Sequence, residues 1–345
     1  DYTATLNTGS LPEDAELTGT GGNTRTFTPR PNRTQIILFG IQSSTAGSDD
    51  IEVVQLLVDG LKLGLILGMA SIGLSLIFGT TGLVNFAHGE MVTFGAIMTY
   101  LLNRKGVFGF TTHLLIAAPF IVAFTGVAAG LFNEGVWRPL RRRGSSLISM
   151  LVVSIGLSIL FRYLFLFSFG GRALFYADYQ VQSRWDFGPF SLPPKDVVIM
   201  ALSLVTLLIV GLLLQTTRIG KAMRAVADNR DLAASSGIDV ERVIRVVWIA
   251  GGALAGLGGI LLGLTESVGW EMGFRLLLLM FAGVTLGGLG TAYGALLGSL
   301  VVGVLIQMST LVVPPDLKNL AALLALALIL LVRPQGLLGR AERVG

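Results

Sequence analysis

Asn85, His88 and Glu90 sit in one stretch, Gly82-Leu-Val-Asn-Phe-Ala-His-Gly-Glu-Met91, between the uncharged runs 63–87 and 91–103. At membrane depth an imidazole and a carboxylate each cost several kcal/mol, so by default they face a partner, a cavity or a pathway. The stretch therefore points to transport. A structural reading carries equal weight, in which His88 and Glu90 tie the segment to neighbouring helices by hydrogen bonds. Catalysis fits poorly, because neither Gly-x-Ser-x-Gly nor His-Glu-x-x-His occurs and side chains at i and i+2 of a helix do not face each other. The chain has no cysteine and only two histidines, His88 and His113. That excludes disulfides and thiolate metal sites and argues against a histidine-rich metal centre.

Gly287, Gly288 and Gly290 interrupt a second uncharged run, residues 276–315, whose forty residues suffice for two crossings without a polar loop between them. Irregular backbone at that depth is tolerated only where it is buried in protein or faces water, and interrupted helices build sites near the midplane. Small residues also let helices approach closely. For any single glycine here the packing reading weighs more than direct contact with a solute.

These residues have to be held by membrane-spanning helices. The chain is 52% hydrophobic and 13% charged, with a mean hydropathy of +0.74, and it repeats uncharged stretches near the ~20 residues needed to cross ~30 Å of hydrocarbon. The composition implies an all-α polytopic integral membrane protein of about eight to ten helices. Nine spans are predicted, at 53–79, 83–102, 112–132, 147–169, 197–214, 246–264, 274–286, 293–313 and 320–332. Residues 91–102 alone would give only about 18 Å of helix, so the second span is predicted to begin near Leu83 and to carry the first motif in its opening turns. Asn85 and His88 would then share a helix face, with Glu90 pointing elsewhere and favoured by the helix dipole.

A net charge of +4 could suggest nucleic acid, but Lys and Arg cluster in short loops beside the spans, which is a topology signal and leaves nucleic acid aside. The loop with Arg138, Arg141, Arg142 and Arg143, the segment from Arg218 to Arg245 and the tail with Arg333, Arg340 and Arg343 should be cytoplasmic. Nine spans then place the N-terminus outside and the C-terminus inside, with Arg104 and Lys105 against the trend. Residues 1–50, rich in Thr, Gly, Ser, Asn and Pro, read as a polar, partly irregular extracytoplasmic tail with one short strand at 36–41. The chain opens without Met and without a basic flank leading an apolar core, as expected if a leader was removed or the sequence trimmed.

Residues 215–245 are the longest charged stretch that does not span. Residues 219–228 have helical composition, a break falls near Asn229, and a second short helix from Arg230 to Ser236 should end at Gly237. A surface-lying helix and a helix that docks a partner both stay open. Arg162, in the outer half of the fourth span, is expected to snorkel beside Tyr163. Tyr176, Trp185 and Trp270 read as interfacial anchors.

Taken together, Gly82-Leu-Val-Asn-Phe-Ala-His-Gly-Glu-Met91, Arg224-Ala-Val-Ala-Asp-Asn-Arg-Asp-Leu-Ala233 with Gly237-Ile238, Leu286-Gly-Gly-Leu-Gly290 with Tyr293-Gly-Ala295, and Arg333-Pro-Gln-Gly-Leu337 resemble the LivH-type permeases of branched-chain amino acid ABC importers. The resemblance covers about 56–339. It implies a non-catalytic permease domain, 53–339, in a bacterial-type plasma membrane. Such a permease works with a second, LivM-like permease, two cytosolic ABC ATPases and an extracytoplasmic substrate-binding protein, whose lobes could meet Glu266 and Glu271. It also implies that 219–238 carries the coupling helix, with Arg224, Asn229, Ala233 and Gly237 as coupling residues, while Asn85, His88, Glu90, Gly287, Gly288 and Gly290 are candidates for the translocation path. The long polar tail departs from the typical member.

The chain lacks a phosphate-binding Gly-x-x-x-x-Gly-Lys-Ser/Thr, since Gly220-Lys221 is followed by Ala222. It should bind no cofactor of its own and use ATP only through its partners. Related permeases carry urea, short amides or other amino acids. The rival from another class is an ion-coupled secondary transporter or channel with Glu90 or Arg162 as its ion site. The charged helical segment favours the ATP-driven reading.

Overall fold

A computed structural model describes residues 2–8, 15–18, 22–28, 40–43, 49–105, 111–179, 182–314, 317, 319–320, 323–324, 327 and 331. The chain divides into two compact units, Asp1–Val54 and Gln55–Gly345. In the first, β1 (Tyr2–Thr5) pairs antiparallel with β3 (Thr24–Phe27), and β2 (Ala15–Thr18) pairs antiparallel with β4 (Gly40–Ser43). The alternating threonines of β1 and β3 are β-branched and suit a pleated ribbon. Of the strand expected at 36–41, residues 36–39 lie outside the described residues, and Gly40 and Ile41 open β4.

The helices are α1 (Asp49–Thr81), α2 (His88–Tyr100), α3 (Leu114–Phe132), α4 (Arg138–Arg142), α5 (Leu147–Phe169), α6 (Pro194–Thr216), α7 (Arg218–Asp228), α8 (Arg230–Ser235), α9 (Val240–Thr265), α10 (Met272–Gly287) and α11 (Ala292–Met308). A short ribbon of β5 (Trp185–Asp186) and β6 (Ser191–Leu192) precedes α6. Six segments among the described residues are long and apolar enough to cross a membrane, and α10 is apolar but shorter. The ninth predicted span, 320–332, lies largely outside the described residues.

α9 lies against α2 and α3, and α10 against α2 and α11. The inner segments α1 and α9 are mostly buried, whereas α5 and α6 leave most of their apolar surface uncovered. Since lipid is as apolar as leucine, helices in a membrane associate through close contact. Accordingly a Cβ at Gly259 would overlap the Val92 carbonyl, one at Gly252 would overlap the Ala129 side chain, and one at Gly73 would stand 2.7 Å from the Gly251 carbonyl.

One end of the bundle is tied by charge. Glu134 accepts from Arg138 at 2.5 Å and from Arg245 at 2.8 Å, while Glu241 pairs with Arg141 at 3.1 Å and Arg230 at 3.2 Å. Four arginines from the two central basic segments therefore meet on one face around two carboxylates. Tyr176 is not an interfacial anchor. It is fully buried, and its hydroxyl donates to the Ala96 carbonyl at 3.2 Å. The loop after α5 folds back through a bridge between Leu174 and Val268, and burial pushes the phenol pKa up, keeping it a donor. Trp185 is exposed and Trp270 half-buried, 6.2 Å from Tyr163 between ring centroids.

Candidate functional site

The first motif does not begin a helix at Leu83. α1 ends where Gly82 takes φ +69°, and residues 82–87 form a non-helical connector before α2 starts at His88. Asn85 and His88 consequently share no helix face. The helix expected from Leu83 is thus interrupted, because Gly82 and Asn85 both favour turn over helix. Several of the connector's backbone groups find partners inside the protein, as irregular backbone at that depth requires. Ser154 Oγ accepts from Phe86 N at 3.1 Å, while its single proton lies between the Leu151 carbonyl at 2.7 Å and the Val84 carbonyl at 3.3 Å. Asn85 Oδ1 accepts from Ala87 N at 3.1 Å, and the Asn85 carbonyl accepts from His88 N at 3.2 Å. This Asx turn is what an asparagine two residues ahead of its donor provides.

All three polar side chains of the motif are buried, and each keeps one polar atom unpartnered among the described residues: Asn85 Nδ2, His88 Nδ1 and Glu90 Oε2. His88 Nε2 lies 3.1 Å from the Ala70 carbonyl on α1, which only accepts, so Nε2 carries the proton. Glu90, in the first turn of α2, accepts from Ser158 Oγ of α5 at 3.0 Å. His88 and Glu90 thus reach different helices. Buried polar atoms are normally paired, and three in this one motif lack a partner among the described residues. Glu90 also borders an apolar cavity of about 180 Å³ lined by Phe94, Phe132, Phe161 and Phe165. Arg162 is turned inward and not out to an interface. Its guanidinium stands 4.0 Å from the centroid of the Phe274 ring, and its Nε is buried without a partner. A cation over an aromatic face explains that placement.

The glycine joint is a tight turn between antiparallel helices. Gly288 at φ +107° and Gly290 at φ +81° supply backbone that other residues rarely adopt. Gly287 serves differently, because a Cβ there would overlap the Gly294 carbonyl, as one at Gly298 would overlap that of Gly283. Gly287 therefore sits in a helix-to-helix contact. The joint touches α1 through Gly79, whose Cβ would stand 2.9 Å from the Gly290 carbonyl, and through Ser75 Oγ, which donates to the Thr291 carbonyl at 3.0 Å.

The charged stretch forms α7 and α8, separated at Asn229, whose side chain accepts from Leu232 N at 2.9 Å and caps α8. Gly237 closes α8 at φ +84°, with its N–H donating to the Ala234 carbonyl at 3.0 Å. α7 buries Gly220, Met223 and Val226, and α8 buries Ala233. Arg224 and Asn229 are exposed, as is Leu232 at 64%.

Sequence reasoning missed a buried ion pair. Lys62 Nζ lies 2.7 Å from Asp196 Oδ2 and 3.0 Å from Asp59 Oδ1, joining α1 to the first turn of α6. The available signal was a lysine and an aspartate three apart within an otherwise apolar span.

Residues 56–333 match the family described as branched-chain amino acid transport system / permease component. Over 305 residues, 84% of this chain and 96% of the relative, the sequence is 32% identical to the high-affinity branched-chain amino acid transport system permease protein LivH of Salmonella typhimurium, and 30% identical to LivH of Escherichia coli K12 over the same extent. It is 28% identical over 299 residues to the permease protein BraD of Pseudomonas aeruginosa. With the family matched along most of its length and its first motif forming a buried, internally paired connector between helices, this chain belongs to the branched-chain amino acid transport permease family.

Proposed function

We propose that this chain is a permease subunit that imports branched-chain amino acids, using ATP hydrolysed by partner subunits. The observation that carries the reading is the likeness to LivH proteins over 84% of the chain. The partners would be a second, LivM-like permease, two cytosolic ABC ATPases and an extracytoplasmic binding protein. The chain itself would hold no cofactor. Its uncovered apolar helices α5 and α6 suit lipid and the second permease. α7 and α8 present Arg224, Asn229 and the exposed Leu232 beside the arginine network, which suits docking to an ATPase on the cytoplasmic side. The path would pass the motif of Asn85, His88 and Glu90, with Gly287, Gly288 and Gly290 holding the joint behind it. ATPase activity of the complete reconstituted complex, measured against a panel of ligand-loaded binding proteins, tests the reading. Stimulation is expected with the leucine-, isoleucine- or valine-loaded protein, and stimulation by none of them contradicts it.

Two predictions attach to this reading. Glu90→Gln keeps the shape and the Ser158 contact but removes the charge, so uptake should slow by about tenfold or more while protein abundance holds, as expected for a buried charge lost at about 1.4 kcal/mol per tenfold; unchanged uptake assigns Glu90 to packing. In this reading the basic segments face the cytoplasm and the N-terminus would lie outside. A cysteine placed at Ser10, in a chain that has none, should react with an impermeant reagent in intact spheroplasts. Reaction only after permeabilisation reverses the orientation.

A further inference from the structure

Lys62, Asp59 and Asp196 form part of the wall of a cavity of about 450 Å³ bounded by α1, α6, α9 and α11. The cavity lies by Leu262 and Glu266, at the opposite end of α9 from Glu241 and Arg245, which hold the arginine network. In the orientation proposed above it opens outward. Three cations, Lys62, Arg184 and Lys195, face three carboxylates, Asp59, Asp196 and Glu266.

The valences are not used evenly. Asp59 is occupied, by Lys62 at 3.0 Å and by Gln55 Nε2 at 2.9 Å. Asp196 is only 5% exposed, gives Oδ2 to Lys62, and leaves Oδ1 buried without a partner. A buried carboxylate oxygen without a donor is costly, so the anionic side of the wall is not fully neutralised by Lys62 among the described residues. On the cationic side, Lys195 Nζ makes one bond, to the Leu264 carbonyl at 3.1 Å, and the exposed Arg184 makes one, to Ser191 Oγ at 3.3 Å. Both keep donors free among the described residues. The wall also includes the aliphatic Leu63, Ile66 and Leu262. A wall carrying three cations, three carboxylates and an aliphatic patch offers little to a simple cation or anion and complements a ligand that carries both signs.

We propose that this cavity is the outer receiving site of the permease for a zwitterionic α-amino acid, with Asp196 and Glu266 taking the ammonium, Lys195 and Arg184 the carboxylate, and the aliphatic wall the side chain. The proposal rests on the import reading and adds the site to it.

The test uses the complete complex in lipid vesicles without binding protein, carrying Thr265→Cys as the sole cysteine of this subunit. Thr265 lines the cavity and is half-buried. Its rate of modification by a small methanethiosulfonate is followed on this subunit. Leucine at tens of millimolar should slow the reaction by at least about fivefold, a difference of about 1 kcal/mol, whereas isoamylamine, without the carboxylate, and 2-hydroxy-4-methylpentanoate, without the ammonium, should not. Asp196→Asn, and independently Lys195→Gln, should cancel the leucine effect, read in each variant as the ratio of its own rates without and with leucine. Protection by neither leucine nor its analogues, or equal protection by either analogue, overturns the site. Leucine uptake with binding protein and ATP is measured in the same vesicles. Uptake without protection rejects the site alone, and protection without uptake rejects the import reading while upholding the site.

Discussion

Gly273→Val is expected to strip assembled protein from the membrane and to abolish uptake. Gly273 on α10 meets Gly89 on α2 backbone to backbone. A Cβ at Gly89 would stand 2.6 Å from the Gly273 carbonyl, and one at Gly273 would overlap the Gly89 carbonyl. No flexible side chain can rotate out of the way. α2 cannot slide aside either, because Val92 and Gly95 are pressed against Gly259 and Gly256 of α9 on its other side. Overpacking a core costs about 1–3 kcal/mol when neighbours can adjust, and more when they cannot. The substitution also disturbs the bond from Gly273 N to Thr93 Oγ1 at 3.1 Å. Gly156→Val on α5, where a Cβ would meet nothing within 4 Å in this chain, is the control and should leave the membrane abundance of this subunit near that of the unaltered protein. Normal abundance of Gly273→Val in membranes would show that α2 and α10 do not cross here.

Gly237→Val should separate insertion from transport. No atom lies within 4 Å of a Cβ at this position, so the change acts through φ +84° alone. Holding a β-branched residue there costs about 1–3 kcal/mol, and the strain falls where Gly237 N and Ile238 N bond back to Ala234 and Ala233 to close α8. Membrane abundance should hold while uptake falls by about tenfold or more. Gly237→Asn, which tolerates this conformation, should keep most of the activity. Full uptake by Gly237→Val with the ATPase still bound would remove the coupling role from this segment.

The difference between these two sites tracks what could be read from sequence. The turn at Gly237 was legible because its signals are local: Asn229 caps α8 and a glycine ends it. α5 likewise runs over the predicted 147–169, since Ser146 caps its start by accepting from Ser149 N and Gly170 takes φ +77° at its end. The crossing at Gly273 was not legible, because its partner lies 184 positions earlier and a glycine in a span carries no address. The connector before α2 departs from the expected helix because Gly82 and Asn85 both stop helices, and the uncharged run that contains them hides the break. Tyr176 and Arg162 were placed by residue type near span ends, which cannot show that a loop folds back or that a guanidinium finds a ring. The pair of Lys62 and Asp196, 134 positions apart, belongs to the same class of long-range contact.

The central claim, that ATP hydrolysis by partners drives branched-chain amino acid import through this chain, is tested most directly by leucine uptake into vesicles holding the complete complex and loaded binding protein. The account predicts accumulation that requires ATP on the side of the ATPases and is indifferent to an uncoupler. Uptake that persists without ATP hydrolysis and collapses when the uncoupler is added would contradict it.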